Sequence, residues 1–237
     1  MLDPMEITRI RPELTVVNLD FGTVYLWRDE DGSLTLIDTG TVGQADTIEK
    51  AIRADGADPA ALRSIVLTHY HEDHAGSAAE LSRRLGAEVV AHRLEAPVLR
   101  GEQQPRPMVL SPFEQEIWDS LPKLPPAPPC AVDREVAGGE VLGFGGGAVV
   151  VHVPGHTDGS IALHLPERGV LFTGDLAANV ERRTMPGVFN ADPALAVESF
   201  RRLSELEADT VLFGHGEPIA EGGSAALRRA VEQLGQH

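Results

Sequence analysis

Ile65-Val66-Leu67-Thr68-His69-Tyr70-His71-Glu72-Asp73-His74 carries an apolar, strand-like run straight into three imidazoles and two carboxylates. Ala75-Gly76-Ser77-Ala78-Ala79-Glu80-Leu81 then continues with helical character, so the cluster sits on a strand-to-helix turn, where several side chains converge on one point. Solvation of a loop accounts for one or two histidines. It does not ask for three within six residues, two of them at alternating positions and an aspartate before the third, whereas a divalent cation does.

Upstream, Leu14–Leu19, Thr23–Trp27 and Leu34–Ile37 read as adjacent antiparallel strands, the last two joined by the turn Asp29-Glu30-Asp31-Gly32. After Asp38-Thr39-Gly40 a helix is expected over Ala45 to Ala54, with Ile48, Ala51 and Ile52 on one face. Downstream of the cluster the helix ends near Gly86, and a strand follows at Glu88 to Ala91.

The stretch from about 101 to 130 holds nearly half of the 17 prolines, a density that excludes long regular elements. Within it, Ser111-Pro112-Phe113-Glu114 has the form of a capping box with proline at the first helical position, and Phe113, Ile117, Trp118 and Leu121 fall along one face of the helix that follows. The expectation is a Pro-rich insertion or lid carried by a single domain over residues 1–237.

The second half is expected to form strands at Ala148–Val153, Ser160–Leu165, Gly169–Phe172 and Thr210–Phe213, and helices at Pro193–Leu206 and Ser224–Leu234. Leu36-Ile37-Asp38-Thr39-Gly40 and Leu171-Phe172-Thr173-Gly174-Asp175 occupy similar places in the two halves, a hint of duplication. His156, Asp175 and His215 each follow an apolar strand and lie beside glycine, which lets the backbone approach a crowded centre. With His69, His71, Asp73 and His74 they make seven candidate ligands. Imidazole and carboxylate suit zinc, with iron or manganese as alternatives, and no cysteine is placed to make a thiolate site.

Composition narrows the partners. Lys+Arg at 20 against Asp+Glu at 36 leaves a formal charge of −16, which repels nucleic acid and anionic membranes. Cys130 stands alone, so no intrachain disulfide forms, and a cytoplasmic location with a small-molecule substrate is the simplest expectation. His152 and His164 lie within strands and His237 is terminal, which makes them structural or surface groups. His92 is expected to be structural too, with a pocket-facing role as the lesser reading.

His69-x-His71-x-Asp73-His74, His156, Asp175 and His215 resemble, in order, the motifs of the metallo-β-lactamase superfamily, and Asp38 matches its early aspartate. The resemblance spans about residues 10 to 220. It implies an α/β (α+β) fold, the four-layer αββα sandwich, with two divalent metal ions at one edge of the two sheets. His69, His71 and His156 then hold one ion, Asp73, His74 and His215 the other, and Asp175 bridges them.

Two such cations hold a bridging water, bring its pKa towards neutrality and aim the hydroxide at an electrophilic centre. Asp73 is the candidate catalytic group, through its second oxygen, and Asp38 is expected to anchor a ligand histidine from behind. The ligand set is most similar to the glyoxalase II and lactonase branches, so hydrolysis of an ester, lactone or thioester leads. A phosphodiesterase, or a non-catalytic metal-binding or ligand-sensing protein, are the alternatives. Trp118 on the Pro-rich helix and Arg182, Arg183, Met185 and Phe189 after Asp175 are the candidate substrate-pocket residues.

Overall fold

The computed structural model of the chain describes residues 6–234. They belong to two compact units, one spanning Met1–Gln103 and Leu124–Val136, the other Gln104–Lys123 and Ala137–His237. The Pro-rich stretch is therefore divided: its helix goes with the second unit, its last prolines with the first.

The first unit is built on a seven-stranded sheet in chain order: β1 (Glu6–Arg11), β2 (Leu14–Asn18), β3 (Thr23–Arg28), β4 (Leu34–Ile37), β5 (Leu62–Val66), β6 (Glu88–His92) and β7 (Arg134–Val136). β1 to β4 pair antiparallel through short turns. From β4 onward the pairs are parallel. A parallel return needs a crossover, supplied by helices α1 (Ala45–Ala54), then α2 (Glu72–Ala75) and α3 (Ala78–Leu85), then α4 (Ala96–Leu99). Because β4, β5 and β6 run the same way, they deliver Asp38, the His69–His74 run and Glu95 to one edge of the sheet.

α1 buries Ala45, Ile48, Ala51 and Ile52, the face its periodicity predicts, against a core that includes Leu26, Leu36, Ile65 and Leu81. Each such leucine or isoleucine contributes about 1.5–3 kcal/mol on burial. Asp55, just beyond α1, has a buried carboxylate that accepts hydrogen bonds from Arg9, Thr15 and Arg28, tying the helix end to β1, β2 and β3.

The second unit opens with helix α5 (Pro112–Ser120) and carries a five-stranded sheet. Its strands are β8 (Val141–Leu142), β9 (Ala148–His152), β10 (Ile161–Leu165), β11 (Val170–Phe172) and β14 (Thr210–Leu212), with the hairpin β12 (Ala177–Val180) and β13 (Arg183–Pro186) apart from it. β9, β10 and β11 alternate in direction while β11 and β14 are parallel. Hence β9, β11 and β14 all run one way, and their ends deliver His156, Asp175 and His215 to a single edge. Helices α6 (Pro193–Ser204) and α7 (Gly223–Leu234) supply Phe200, Leu203 and Leu227 to a core with Leu171, Val211 and Phe213.

The mixed α/β class is as expected, and most expected elements lie within a residue or two of their observed bounds. Two are new. β1 is an edge strand whose charged residues hide its pattern. The β12–β13 hairpin turns at Glu181-Arg182, with φ of 52° and 62°, where asparagine and glycine would be usual. Left-handed backbone at such residues costs about 1–2 kcal/mol each. Among the described residues, no helix is long and apolar enough to cross a membrane.

Candidate metal centre

In the first unit the donors are organised by a single carboxylate. Asp38 follows β4 with φ of 61°, a left-handed conformation that aspartate tolerates better than most residues. Its Oδ1 accepts the Thr68 backbone N–H at 2.7 Å, and its Oδ2 accepts the Thr68 hydroxyl at 2.7 Å and His74 Nδ1 at 2.8 Å. Thr68 has spent its only proton on Asp38, so its oxygen accepts from His69 Nδ1 at 3.0 Å. Asp38 thus fixes the tautomer of His74 directly and of His69 through Thr68. Both rings keep the Nε2 lone pair for a cation.

His69 Nε2 lies 3.0 Å from His71 Nδ1, with the rings nearly perpendicular at 83°. Two nitrogens on one tetrahedral zinc stand about 3.3 Å apart, given Zn–N bonds of about 2.0–2.1 Å. The pair therefore fits a shared cation. His74 packs against His69 with ring centroids 4.1 Å apart, and its Nε2 is 3.8 Å from Asp73 Oδ2. His69 and His74 are fully buried while His71 and Asp73 are half-buried.

Two further contacts hold this loop. The His74 carbonyl accepts both the N–H and the hydroxyl of Thr39, at 2.7 and 2.8 Å. The buried Glu95 accepts the Tyr70 backbone N–H at 2.8 Å, gripping the peptide between His69 and His71. Glu95 and Thr68 are not among the residues the sequence singles out. An isolated Thr or Glu carries no motif: Thr68 adjoins His69 in the chain but meets Asp38 only through the parallel strand ends, which also bring Glu95 to Tyr70.

In the second unit Asp175 is the centre. Its Oδ2 stands 3.1 Å from His215 Nε2 and 3.7 Å from His156 Nε2, so one carboxylate oxygen faces two imidazoles. His156 Nδ1 donates to the Val188 carbonyl at 3.1 Å, which leaves its Nε2 lone pair towards Asp175. The loops are locked to each other as well. Gly214 N–H bonds the Gly174 carbonyl, Asn179 N–H bonds the His215 carbonyl, and the Asn179 side chain bonds the Glu217 carbonyl at 2.7 Å. At Gly187 a β-carbon would overlap the Asp175 carbonyl oxygen, so that position needs glycine.

The candidate pocket residues have separate fates. Trp118 on α5 stacks edge-on against Phe189, ring centroids 5.3 Å apart. Glu114 completes the capping box on Ser111 and also accepts the Phe189 N–H at 3.1 Å. The Pro-rich helix therefore grips the turn whose Val188 carbonyl holds His156. None of the α5 residues is buried. Met185 is half-buried on β13, and Arg182 and Arg183 are exposed at the hairpin turn. His92 is buried and its Nδ1 accepts the Leu94 N–H, while His152 and His164 bond the carbonyls of Asp158 and Glu207. His237 lies outside the described residues.

The sequence profile of the metallo-β-lactamase superfamily matches residues 17–215. The chain belongs to the metallo-β-lactamase superfamily. Superfamily relatives include a probable metallo-hydrolase, YflN, of Bacillus subtilis, 29% identical over 209 residues that cover 80% of this chain and 78% of that protein. A hydroxyacylglutathione hydrolase of Cereibacter sphaeroides is 32% identical over 158 residues, 65% of this chain but only 48% of the relative. Among solved structures, a metallo-β-lactamase HARLDQ-motif mutant from Cronobacter sakazakii is similar with a TM-score of 0.75 and 25% identity, covering 98% of this chain and 93% of that one. The protein TTHA1623, in a di-iron-bound form, gives a TM-score of 0.65 at 29% identity, with 88% and 93% covered. The chain thus has the metallo-β-lactamase fold, and its His/Asp clusters are able to bind divalent metal.

Proposed function

We propose that His69, His71, Asp73 and His74 act together with His156, Asp175 and His215 as one dinuclear centre that hydrolyses an ester, lactone or thioester of a small molecule. Among the described residues, these seven are the His and Asp side chains whose donor atoms cluster closely enough to hold a metal ion. The observation that carries the reading is the polarity of the rings. His69, His74 and His156 each commit Nδ1–H to a protein acceptor and keep Nε2 for a cation, while Asp175 turns one oxygen to two imidazoles. Relatives named as hydroxyacylglutathione hydrolases support a carbonyl substrate.

Two divalent cations held by these residues would supply an activated water and polarise the substrate carbonyl. Zinc is the proposed cation, with iron or manganese as alternatives. The chain's own groups do the rest. Asp38, Thr68 and Glu95 hold the ligands in place, so no reorganisation accompanies the reaction. Asp73, half-buried and beside His74, has a carboxylate oxygen positioned to take or pass a proton. The single buried cysteine fits a reducing cytoplasm.

Metal analysis of the purified chain is expected to find two ions per molecule, with turnover on an ester, lactone and thioester panel that a chelator abolishes. His71→Ala or Asp175→Ala is expected to lose metal and turnover together. A fully loaded, fully active variant at either position sinks the ligand assignment. Asp73→Asn is expected to lower kcat by about 100-fold or more with little change in KM; a pure KM effect contradicts its proton-handling role. Turnover confined to phosphodiesters would replace the carbonyl reading.

A further inference from the structure

We propose that a cleft in the second unit, walled by Arg182, Arg183 and Arg229, is a binding site for a small organic anion bearing a carboxylate or phosphate group. None of the seven donors lines this cleft, and nothing in the proposal rests on the hydrolytic reading.

The cleft measures about 480 Å³ and is lined by the β12–β13 hairpin, the loop after His215 and one side of α7. That volume is in the range of small-molecule sites, and too small for a macromolecular partner to enter. Three arginines line it, against two carboxylate residues, Glu217 and Glu221. Among the described residues none of the three arginines makes an ion pair, in contrast to Arg9, Arg28, Arg84, Arg100 and Arg106. Guanidinium forks left uncommitted in one concavity are suited to the paired oxygens of carboxylate or phosphate.

The backbone points the same way. Arg182 sits at the second of two consecutive left-handed positions, following Glu181. A two-residue hairpin turn of this kind is unstrained with asparagine and glycine, and the chain keeps charged side chains there instead. Strain retained at a turn tip is a signature of a binding role. A chain of net charge −16 also repels small anions from its surface at large, so an anionic ligand needs such a local cationic concavity.

The test is calorimetric titration of the full chain, stripped of metal with a chelator, using sodium phosphate and, separately, sodium succinate. Stripping removes the metal centre as a competing anion site, so the result is independent of whether the chain hydrolyses anything. Wild type is expected to bind at least one probe at one site, and more weakly as salt screens the arginines. Arg182→Gln/Arg229→Gln is expected to reduce affinity about tenfold or more, since a hydrogen bond to a charged group is lost with each arginine. Stronger binding of succinate marks the ligand as a carboxylate, stronger binding of phosphate as a phosphorylated compound. Failure of stripped wild type to bind either probe overturns the proposal, as does a folded double variant that binds as tightly as wild type. If circular dichroism shows the double variant unfolded, Arg229→Gln alone, on the exposed face of α7, is read by the same criterion.

Discussion

Asp38 governs the first half of the centre because one carboxylate takes three hydrogen bonds, two of which set imidazole tautomers. The link through Thr68 can be cut with little change of volume. Thr68→Val is expected to weaken metal binding by about 10- to 100-fold, the usual cost of losing an outer partner of a ligand. Chelator competition measures it, and unchanged affinity would show that His69 is oriented by packing alone. Cys130 lies outside this chemistry. Burial, with Asp133 adding, pushes its thiol up from 9.0 to about 11. The thiol should therefore react with an alkylating reagent at pH 8 far more slowly in the native protein than in urea. Because the folded pKa is the raised one, this group's contribution to stability is present below about pH 9 and is lost as pH rises towards 11. Asp38 and the seven candidate donors are visible in the sequence through their motifs. Thr68, Glu95 and the Val188 carbonyl are not, because their roles depend on neighbours 20 or more residues away in the chain, or on backbone atoms that have no sequence identity.

At the scale of elements, α5 shows how a Pro-rich stretch acquires a defined place. Its capping box and its proline at the first helical position are legible in the sequence, and both are present. What the helix grips is not legible. Burial raises the Glu114 pKa, but hydrogen bonds from Ser111 and the Phe189 backbone outweigh it and hold the carboxyl below its ordinary value of 4.5. A lowered folded pKa means the tether is complete above that ordinary value and is lost as pH falls through the lowered one. Trp118 fluorescence is expected to change in that acid range in wild type, over a constant background from the buried Trp27, and Glu114→Gln is expected to show no such transition. Identical acid profiles would remove the tether from the account. Asp55 offers a second test at this scale: Asp55→Ala removes the carboxylate shared by Arg9, Thr15 and Arg28, leaves the two arginines only the backbone carbonyl at that position, and should cost about 1–3 kcal/mol in urea denaturation.

For the whole molecule, metal is expected to act as a folding ligand. An ion that binds the native chain and not the unfolded one stabilises it by about 4 kcal/mol when present at a thousand times its Kd. The loaded protein should melt above the chelated one, with a midpoint that rises with metal concentration; coincident melting curves would mean that the His/Asp clusters hold no ion in solution.

Periodicity, capping residues and glycine turns are local properties, so the sequence by itself determined most of the element order, the α/β class and the set of candidate metal donors. Each strand that ends in a donor announces itself through an apolar run followed by His or Asp. Which strands run in the same direction is a property of pairing between distant segments. Tertiary structure alone decided that β4, β5 and β6 end together, that β9, β11 and β14 do likewise, and that Asp38, Thr68 and Glu95 stand behind the histidines. Tertiary packing likewise brought Arg182 and Arg183 and, more than 40 residues further along the chain, Arg229 to one cleft.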